Sequence, residues 1–140
     1  VKVRSFYNGK ILAGFAGAVA DAMALFEKFE GKLTETNGNL QKAVVEMAKE
    51  WRTDKILREL DALLAIMDNR RAYLLSGSGD VIEPDDQIIS IGSGSGYAVA
   101  AARAFLKAGE KNPTKIVKNS LLITADLCIY TNDKITILEA

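Results

Sequence analysis

Two stretches of small residues stand between an apolar run and an amphipathic pattern. The first is Gly14-Phe15-Ala16-Gly17, and the second runs from Gly92 to Gly96. A strand, then glycines, then a helix is the order in which a helix N-terminus binds phosphate. At the first stretch, exposed backbone groups can instead pair with an extended peptide and face a developing oxyanion. A tight turn that needs small residues for close packing is the third interpretation.

The second stretch does not match the known phosphate-binding fingerprints. The dinucleotide fingerprint needs glycines at its first, third and sixth positions. Counted from Gly92 the sixth position is Tyr97, and counted from Gly94 it is Val99. The Gly-Lys-Ser or Gly-Lys-Thr of a Walker loop is absent from the sequence. Nucleotide binding by an α/β module is therefore the weaker hypothesis, and close packing or positioning of another group remains open.

The sequence contains no histidine and one cysteine, Cys128. Ser-His-Asp triads, Cys-His dyads and histidine-ligated zinc are thus excluded within these 140 residues. Catalysis would have to use Thr, Ser, Lys, Asp, Glu or backbone groups. A single cysteine forms no intrachain disulfide, which fits a reducing compartment, and we expect Cys128 to be an inert, buried thiol. Asp85-Asp86 is typical of a turn, since no third metal ligand is suitably spaced.

Length and charge indicate one domain, residues 1–140, of ordinary size. Lys and Arg number 18, and Asp and Glu also number 18. Nothing in this balance favours binding to nucleic acid or to an anionic membrane. No apolar run reaches the roughly 18 residues of a spanning helix. We therefore expect a soluble protein.

The pattern of apolar residues predicts antiparallel strands and paired helices. Asn8-Gly9 is a strong signal for a two-residue hairpin turn. In chain order we predict strands at 3–7 and 10–14, a helix from about 19 to about 37, a helix at 40–60 broken near Thr53, strands at 62–67 and 72–75, a turn and a short strand within 77–86, a strand at 87–91, helices at 97–107 and 113–127, and a strand at 135–138. Two sheets packed face to face, with a helical layer on each outer side, fit this order better than a doubly wound parallel sheet.

Five segments closely resemble the HslV family, also called ClpQ, the proteasome-like peptidases of the HslUV complex. They read KVRSFYNGKILAGFAGAVADAMALFEKFEGKL, NGNLQKAVVEMAKEWRTDK, GDVIEPDD, IGSGSGYAVAAARA and ADLCIYTND. The resemblance extends over essentially all 140 residues. It implies an α+β fold, the four-layer αββα sandwich of N-terminal-nucleophile hydrolases.

The resemblance also implies an assembly and partners. HslV-like subunits form a homo-oligomer of two stacked hexameric rings, a dodecamer. The AAA+ unfoldase HslU docks on the ring ends, uses ATP, and delivers unfolded protein. We therefore expect a cytoplasmic, allosteric threonine endopeptidase. Three cationic residues, Arg52, Lys55 and Arg58, are candidate docking contacts for HslU, or belong to a solvated helix face.

Three site residues follow from the resemblance by position. In the family, the hydroxyl of an N-terminal threonine is the nucleophile, and its own α-amino group is the base. A free α-amine titrates near neutral pH, at roughly 7.7 to 8.0. Lys2 matches the lysine whose charge lowers the pKa of that amine, although a lysine in a strand is usually just solvated. Gly14 matches the oxyanion-hole glycine, and Ser93 matches the serine beside the threonine.

A monovalent cation site, usually assigned to Na+, is implied as well. The backbone carbonyls of Ala125, Cys128 and Thr131 match its ligands. Ala125 replaces the usual glycine, which matters little if only its carbonyl binds. ATP is used by HslU in this family and not by the HslV-like chain.

Two departures from the family pattern bear on activity. The family often has Gly-Ser-Gly-Gly where this chain has Ser95-Gly96 after Gly94. The family's nucleophilic threonine and a supporting aspartate precede the position of Val1, so a catalytically silent structural ring subunit is the alternative function. Val1 lies near the third strand of the family pattern. Without the two strands before it the sheet would have an exposed edge, so we expect the natural protein to contain them. Intact-mass measurement and N-terminal sequencing of the native chain would decide this.

Overall fold

The computed structural model describes residues 2–140. Its elements in chain order are β1 (Val3–Phe6), β2 (Ile11–Gly17), α1 (Val19–Glu35), α2 (Leu40–Thr53), α3 (Lys55–Arg58), β3 (Ala62–Met67), β4 (Ala72–Leu75), β5 (Val81–Ile82), α4 (Ser95–Lys107) and α5 (Pro113–Leu127). The strands form one sheet in the order β1-β2-β3-β4-β5, and every neighbouring pair is antiparallel.

The turn at Asn8-Gly9 joins β1 to β2, which confirms the predicted hairpin. Asn8 has a φ of 57° and Gly9 a φ of 79°, and the Lys10 N–H donates to the Tyr7 carbonyl over 3.3 Å. Tyr7 also has a positive φ, 54°, so strand pairing starts only at Phe6. The loop therefore has four residues, and the predicted two-residue loop was too short.

Helices α1 and α2 cover one face of the sheet, and the hydrophobic core lies between them and the strands. Side chains alternate along a strand, and the β2 residues buried against the helices are Ile11, Ala13 and Phe15. Phe15 packs edge to face on Phe26 of α1, with ring centroids 5.7 Å apart. Trp51 of α2 is fully buried in the same core. This layer gives β2, the central element of the candidate site, a rigid support.

The break predicted near Thr53 is confirmed, and its cause is a capping residue. α2 ends at Thr53, and the Asp54 carboxylate accepts hydrogen bonds from the N–H groups of Ile56 and Leu57. An aspartate in this position satisfies the free donors of a new helix, so α3 begins at Lys55 as a separate helix. Across residues 2–140, every helix is too short or too polar to cross a membrane.

Two predicted strands were wrong, since residues 87–91 and 135–138 belong to no strand. Their apolar content suggested strands, but a strand also needs a neighbour that supplies hydrogen-bonding partners. Within residues 2–140 these segments have none, and the second predicted sheet is not formed there. α4 packs on α5, and the sheet face away from α1 leaves Leu63 and Met67 partly exposed.

Candidate active site

Lys2 and Gly14 lie side by side where β1 pairs with β2. Val3 is the register partner of Gly14, and the Phe15 N–H donates to the Lys2 carbonyl over 3.1 Å. A Cβ atom on Gly14 would lie 3.5 Å from that carbonyl oxygen, which is an ordinary contact. The Lys2 side chain is exposed. The hairpin thus brings the predicted lysine beside the predicted glycine.

The register also determines where the N–H groups of β2 point. Because the Phe15 N–H bonds to Lys2, the flanking pair of Val3 and Gly14 is a non-hydrogen-bonded pair. The Gly14 N–H is therefore directed toward β3. By the same alternation the Gly17 N–H faces the β1 side of β2, beyond Lys2.

Gly17 was not among the residues predicted for the site. Its φ is +119°, and a Cβ atom there would lie 2.4 Å from the Asp61 carbonyl oxygen. The next residue, Ala18, donates its N–H to that same carbonyl over 3.0 Å. Only glycine permits this approach where β2 passes into α1. The available signal was its place as the last glycine before the helix.

The loop that carries Ser93 lies between the end of β2 and the end of α5. A Cβ atom on Gly92 would lie 3.9 Å from Cβ of Ala16, and one on Gly94 would lie 2.4 Å from Cγ2 of Thr124. Ser93 itself is exposed. The structure therefore brings the Ser93 loop to the same half of β2 that pairs with the start of β1.

Close packing explains Gly94, so that interpretation of the glycine loop is confirmed at this position. Gly96 has no atom within 4 Å of a Cβ placed on it. A cavity of about 220 Å³ beside the loop is lined mostly by aliphatic side chains, among them Leu74, Ile82 and Val99. Its charged residue, Arg103, is paired with Asp86. This lining does not favour a phosphate ligand.

Cys128 was predicted to be buried, and this was wrong; that it is inert stays a prediction. It is half-buried and ends α5 as its C-cap. Its Sγ lies 4.0 Å from the Ser93 hydroxyl oxygen. A hydrogen bond from the Thr131 side chain, then one from the Tyr130 backbone, hold the pKa of the thiol below its ordinary value. The thiol thus lies in a polar turn beside the Ser93 loop.

The three carbonyls of the predicted cation site lie along this turn. Ala125 is in the last turn of α5, Cys128 is its C-cap, and Thr131 follows three residues later. The Cys128 carbonyl accepts the Thr131 N–H over 3.1 Å, which leaves one lone pair for another partner. Carbonyls at a helix C-terminus carry partial negative charge. Among residues 2–140 no cluster of acidic, cysteine or histidine side chains could bind a metal, so backbone oxygens would have to hold the ion.

Asp86 anchors the segment that leads to the Ser93 loop, and Asp85-Asp86 forms the predicted turn. The Asp86 carboxylate accepts one hydrogen bond from Nε–H of Arg103 over 2.7 Å and one from the Ile88 N–H over 3.2 Å. The Arg103 hydrogen bond holds the pKa of Asp86 below 3.8. This carboxylate therefore stabilises the fold above its unfolded-state pKa, and the contribution is lost as pH falls through the lower folded-state value.

We accordingly expect Asp86→Asn to lower the free energy of unfolding at pH 7 by about 0.2–1 kcal/mol, as for exposed ion pairs. Urea unfolding at neutral and at strongly acidic pH measures the effect, and the difference from wild type should vanish in acid. Asp85→Asn removes the same charge one residue away and serves as the control. Equal losses for both variants at neutral pH would contradict the assigned role of Asp86.

An antiparallel sheet under a helix pair, with a lysine and a serine loop at one strand, fits a peptidase of the proteasome type. The family model for proteasome subunits matches residues 1–140. The chain therefore belongs to the proteasome family, and its relatives assign it to the HslV branch.

The ATP-dependent protease subunit HslV of Caldicellulosiruptor saccharolyticus is 58% identical over 138 residues, which are 99% of this chain and 78% of that protein. The same subunit of a Geobacillus species is 59% identical over 140 residues, with the same coverage. The crystal structure of eukaryotic HslV from Trypanosoma brucei has a TM-score of 0.88 at 40% identity, covering 94% of this chain and 76% of that chain. These matches confirm the predicted resemblance, the fold class and the role of proteolytic subunit.

A more distant structure agrees in fold alone. Thiobacillus denitrificans BPH, solved in complex with epoxomicin, has a TM-score of 0.64 at 14% identity over 94% of this chain and 74% of that chain. The αββα class is thus supported by solved structures, although residues 2–140 form only one of its two sheets.

Proposed function

We propose that this chain is the proteolytic subunit of an ATP-dependent protease, in which an N-terminal threonine cleaves unfolded proteins delivered by an HslU unfoldase. One observation carries the proposal. Lys2, which directly precedes β1, and the Ser93 loop both lie against the same part of β2, residues 14–16. The HslV relatives support it.

The proposed chemistry uses the threonine of the complete polypeptide. Its hydroxyl oxygen attacks the peptide carbonyl carbon while its proton moves to the neutral α-amine. Collapse of the tetrahedral intermediate breaks the C–N bond, and the leaving amine takes the proton. Water then hydrolyses the ester. The Lys2 ammonium lowers the pKa of the α-amine, so that more of it is neutral at physiological pH.

The oxyanion needs a backbone N–H aimed at it. The resemblance points to Gly14, which stays the predicted position. The register turns the Gly14 N–H toward β3 and favours Gly17 as a second candidate, since its N–H faces the β1 side. Backbone ester substitution at residue 14 or 17 separates the two: loss of the true donor should lower kcat without an equal loss of stability, whereas weaker pairing of residue 14 with β3 would also lower the free energy of unfolding in urea.

Ser93 and the turn after α5 form the other wall of the proposed site. The exposed Ser93 hydroxyl is available to hydrogen-bond the threonine amine. A monovalent cation, Na+ by resemblance, bound to the carbonyls of Ala125, Cys128 and Thr131 would hold the turn that packs against Gly94. The close approach of Gly94 to Thr124 and Thr131 is consistent with a cation that stabilises the Ser93 loop through this turn.

We also propose a double hexameric ring in the cytoplasm, allosterically controlled by HslU. Arg52, Lys55 and Arg58 are all exposed, and between them Ile56 is 78% exposed. An apolar side chain ringed by cations suits an acidic, partly apolar partner segment. This patch is the proposed HslU contact.

A fluorogenic-peptide assay of the complete natural polypeptide tests the proposal. Turnover should require the terminal threonine and rise when HslU and ATP are added. Ring assembly without turnover would instead favour the silent structural subunit. Saturable nucleotide binding by the isolated subunit would revive the nucleotide-binding hypothesis.

A further inference from the structure

The tip of the β1–β2 hairpin rests on the turn between α1 and α2. The Tyr7 hydroxyl donates to the Asn37 carbonyl over 3.2 Å. A Cβ atom on Gly38 would lie 2.4 Å from Cζ of Tyr7 and 2.7 Å from its hydroxyl oxygen. The ring therefore lies against the Gly38 backbone, and only glycine leaves room for it. Tyr7 and Gly38 are separated by 31 positions in the chain, so the contact joins two distant segments.

This junction concentrates unfavourable backbone conformations. Tyr7, Asn8 and Asn37 have φ values of 54°, 57° and 54°, a region that side chains other than glycine rarely occupy. Each such residue costs free energy and persists only where its surroundings hold it in place. Two strained turns packed on each other indicate a specific structural contact and not an incidental one. We call this contact, of Tyr7 with Asn37 and Gly38, the Tyr7 lock.

Within residues 2–140, few contacts hold β1. In this part of the chain it is an edge strand of four residues with one partner, β2. Phe6 is its only fully buried side chain, packed edge to face on Phe26 and Phe29 of α1. Arg4 and Ser5 are exposed. The lock at Tyr7 directly follows Phe6, so the two residues together fix one end of β1.

We propose that Tyr7 is a positioning residue: by locking the hairpin tip to the α1–α2 turn, it holds β1 in place and so keeps Lys2 beside β2. The role in turnover rests on the proposed function. In this role Tyr7 does not contact substrate. It acts through β1, the short strand that directly follows Lys2.

Two glycines with the same φ of +79° provide a matched test. Gly9→Ala and Gly38→Ala both place an alanine at this φ, but a Cβ atom on Gly9 meets nothing within 4 Å, whereas one on Gly38 displaces the Tyr7 ring. The readout is hydrogen exchange at the Phe15 N–H, which reports whether the start of β1 is paired. We expect exchange there to be about tenfold faster in Gly38→Ala than in Gly9→Ala, with Ile66 exchange equal in both.

Variants of Tyr7 complete the design. Tyr7→Ala should accelerate Phe15 exchange as Gly38→Ala does. Adding Gly38→Ala to Tyr7→Ala should accelerate it further by no more than Gly9→Ala does in the wild type, since the new methyl then has room and only the backbone strain remains. Tyr7→Phe, which loses only the hydroxyl bond, should have a smaller effect. Equal exchange in Gly9→Ala and Gly38→Ala, or changes confined to the two turns, would overturn the proposal.

Peptide turnover by the complete enzyme tests the functional consequence of the Tyr7 lock. Gly38→Ala should lower kcat about tenfold with little change in KM, as expected when a catalytic group is misplaced, and Gly9→Ala should not. If Lys2→Ala is harmless, the proposed function is wrong at this site, while Phe15 exchange still decides the lock. If Lys2→Ala abolishes turnover but Gly38→Ala matches Gly9→Ala in kcat, the positioning role of Tyr7 is refuted.

Discussion

Lys2→Ala is expected to lower peptide turnover of the complete enzyme at least about a hundredfold, the scale of losing one preorganised electrostatic partner. The fold and the ring should survive, because Lys2 is exposed and contributes its backbone carbonyl, not its side chain, to the pairing with β2. Steady-state kinetics, with circular dichroism and gel filtration on the same samples, measure the outcome.

The pH dependence reveals how Lys2 acts. Removing a nearby positive charge raises the pKa of the amine that must be neutral. The acidic limb of the kcat profile should therefore move to higher pH in Lys2→Ala. Lys2→Arg retains the charge and should keep part of the activity. Lys10→Ala removes a lysine from the far end of the same hairpin and should behave like wild type; near-normal turnover of Lys2→Ala itself would show that the implied role is wrong.

Local signals in the sequence predict most elements correctly. Asn8-Gly9 marks the hairpin, because adjacent residues with positive φ favour that dipeptide. α1 and α2 follow from their apolar stripes, and the break after Thr53 comes from a local capping residue, Asp54. In each case the stabilising contacts lie within a few residues, or a single buried face determines the periodicity.

Pairing between distant segments could not be predicted from the same signals. Residues 87–91 and 135–138 have the composition of strands, but whether they form strands depends on a neighbour, which local composition does not specify. The register of β1 on β2 could not be predicted from local signals either. It decides whether the N–H of Gly14 or that of Gly17 faces the β1 side. The half-buried, polar setting of Cys128 arises from a turn that packs on a loop 35 positions away.

The candidate site depended more on resemblance than on pattern. A lysine in an exposed strand and a serine in a glycine loop have no distinctive spacing, so residues alone left each as a surface group or a packing device. The structure adds the contacts that unite them: β1 with β2 through Lys2 and Phe15, and the Ser93 loop with Ala16. Roles for these side chains stay predictions until the variants are measured.

Gly94→Ala is the second substitution for which we expect a large effect. Its new methyl would lie 2.4 Å from Cγ2 of Thr124 and 2.9 Å from Oγ1 of Thr131, so the Ser93 loop must move away from α5. Overpacking of this kind costs about 1–3 kcal/mol, and displacement of Ser93 should lower turnover about tenfold or more. Urea unfolding and kcat measure the two effects.

Gly96→Ala is the matched control, two residues along the same segment. It adds the same methyl in open space within α4, and replacing a helical glycine should raise the free energy of unfolding by up to about 1 kcal/mol. Thr124→Ser offers a rescue, since it deletes the clashing Cγ2 but keeps the hydroxyl that donates to the Ser120 carbonyl over 2.8 Å. Gly94→Ala with Thr124→Ser should recover most of the stability and turnover. If the pair is no better than Gly94→Ala alone, contact with α5 does not position the Ser93 loop.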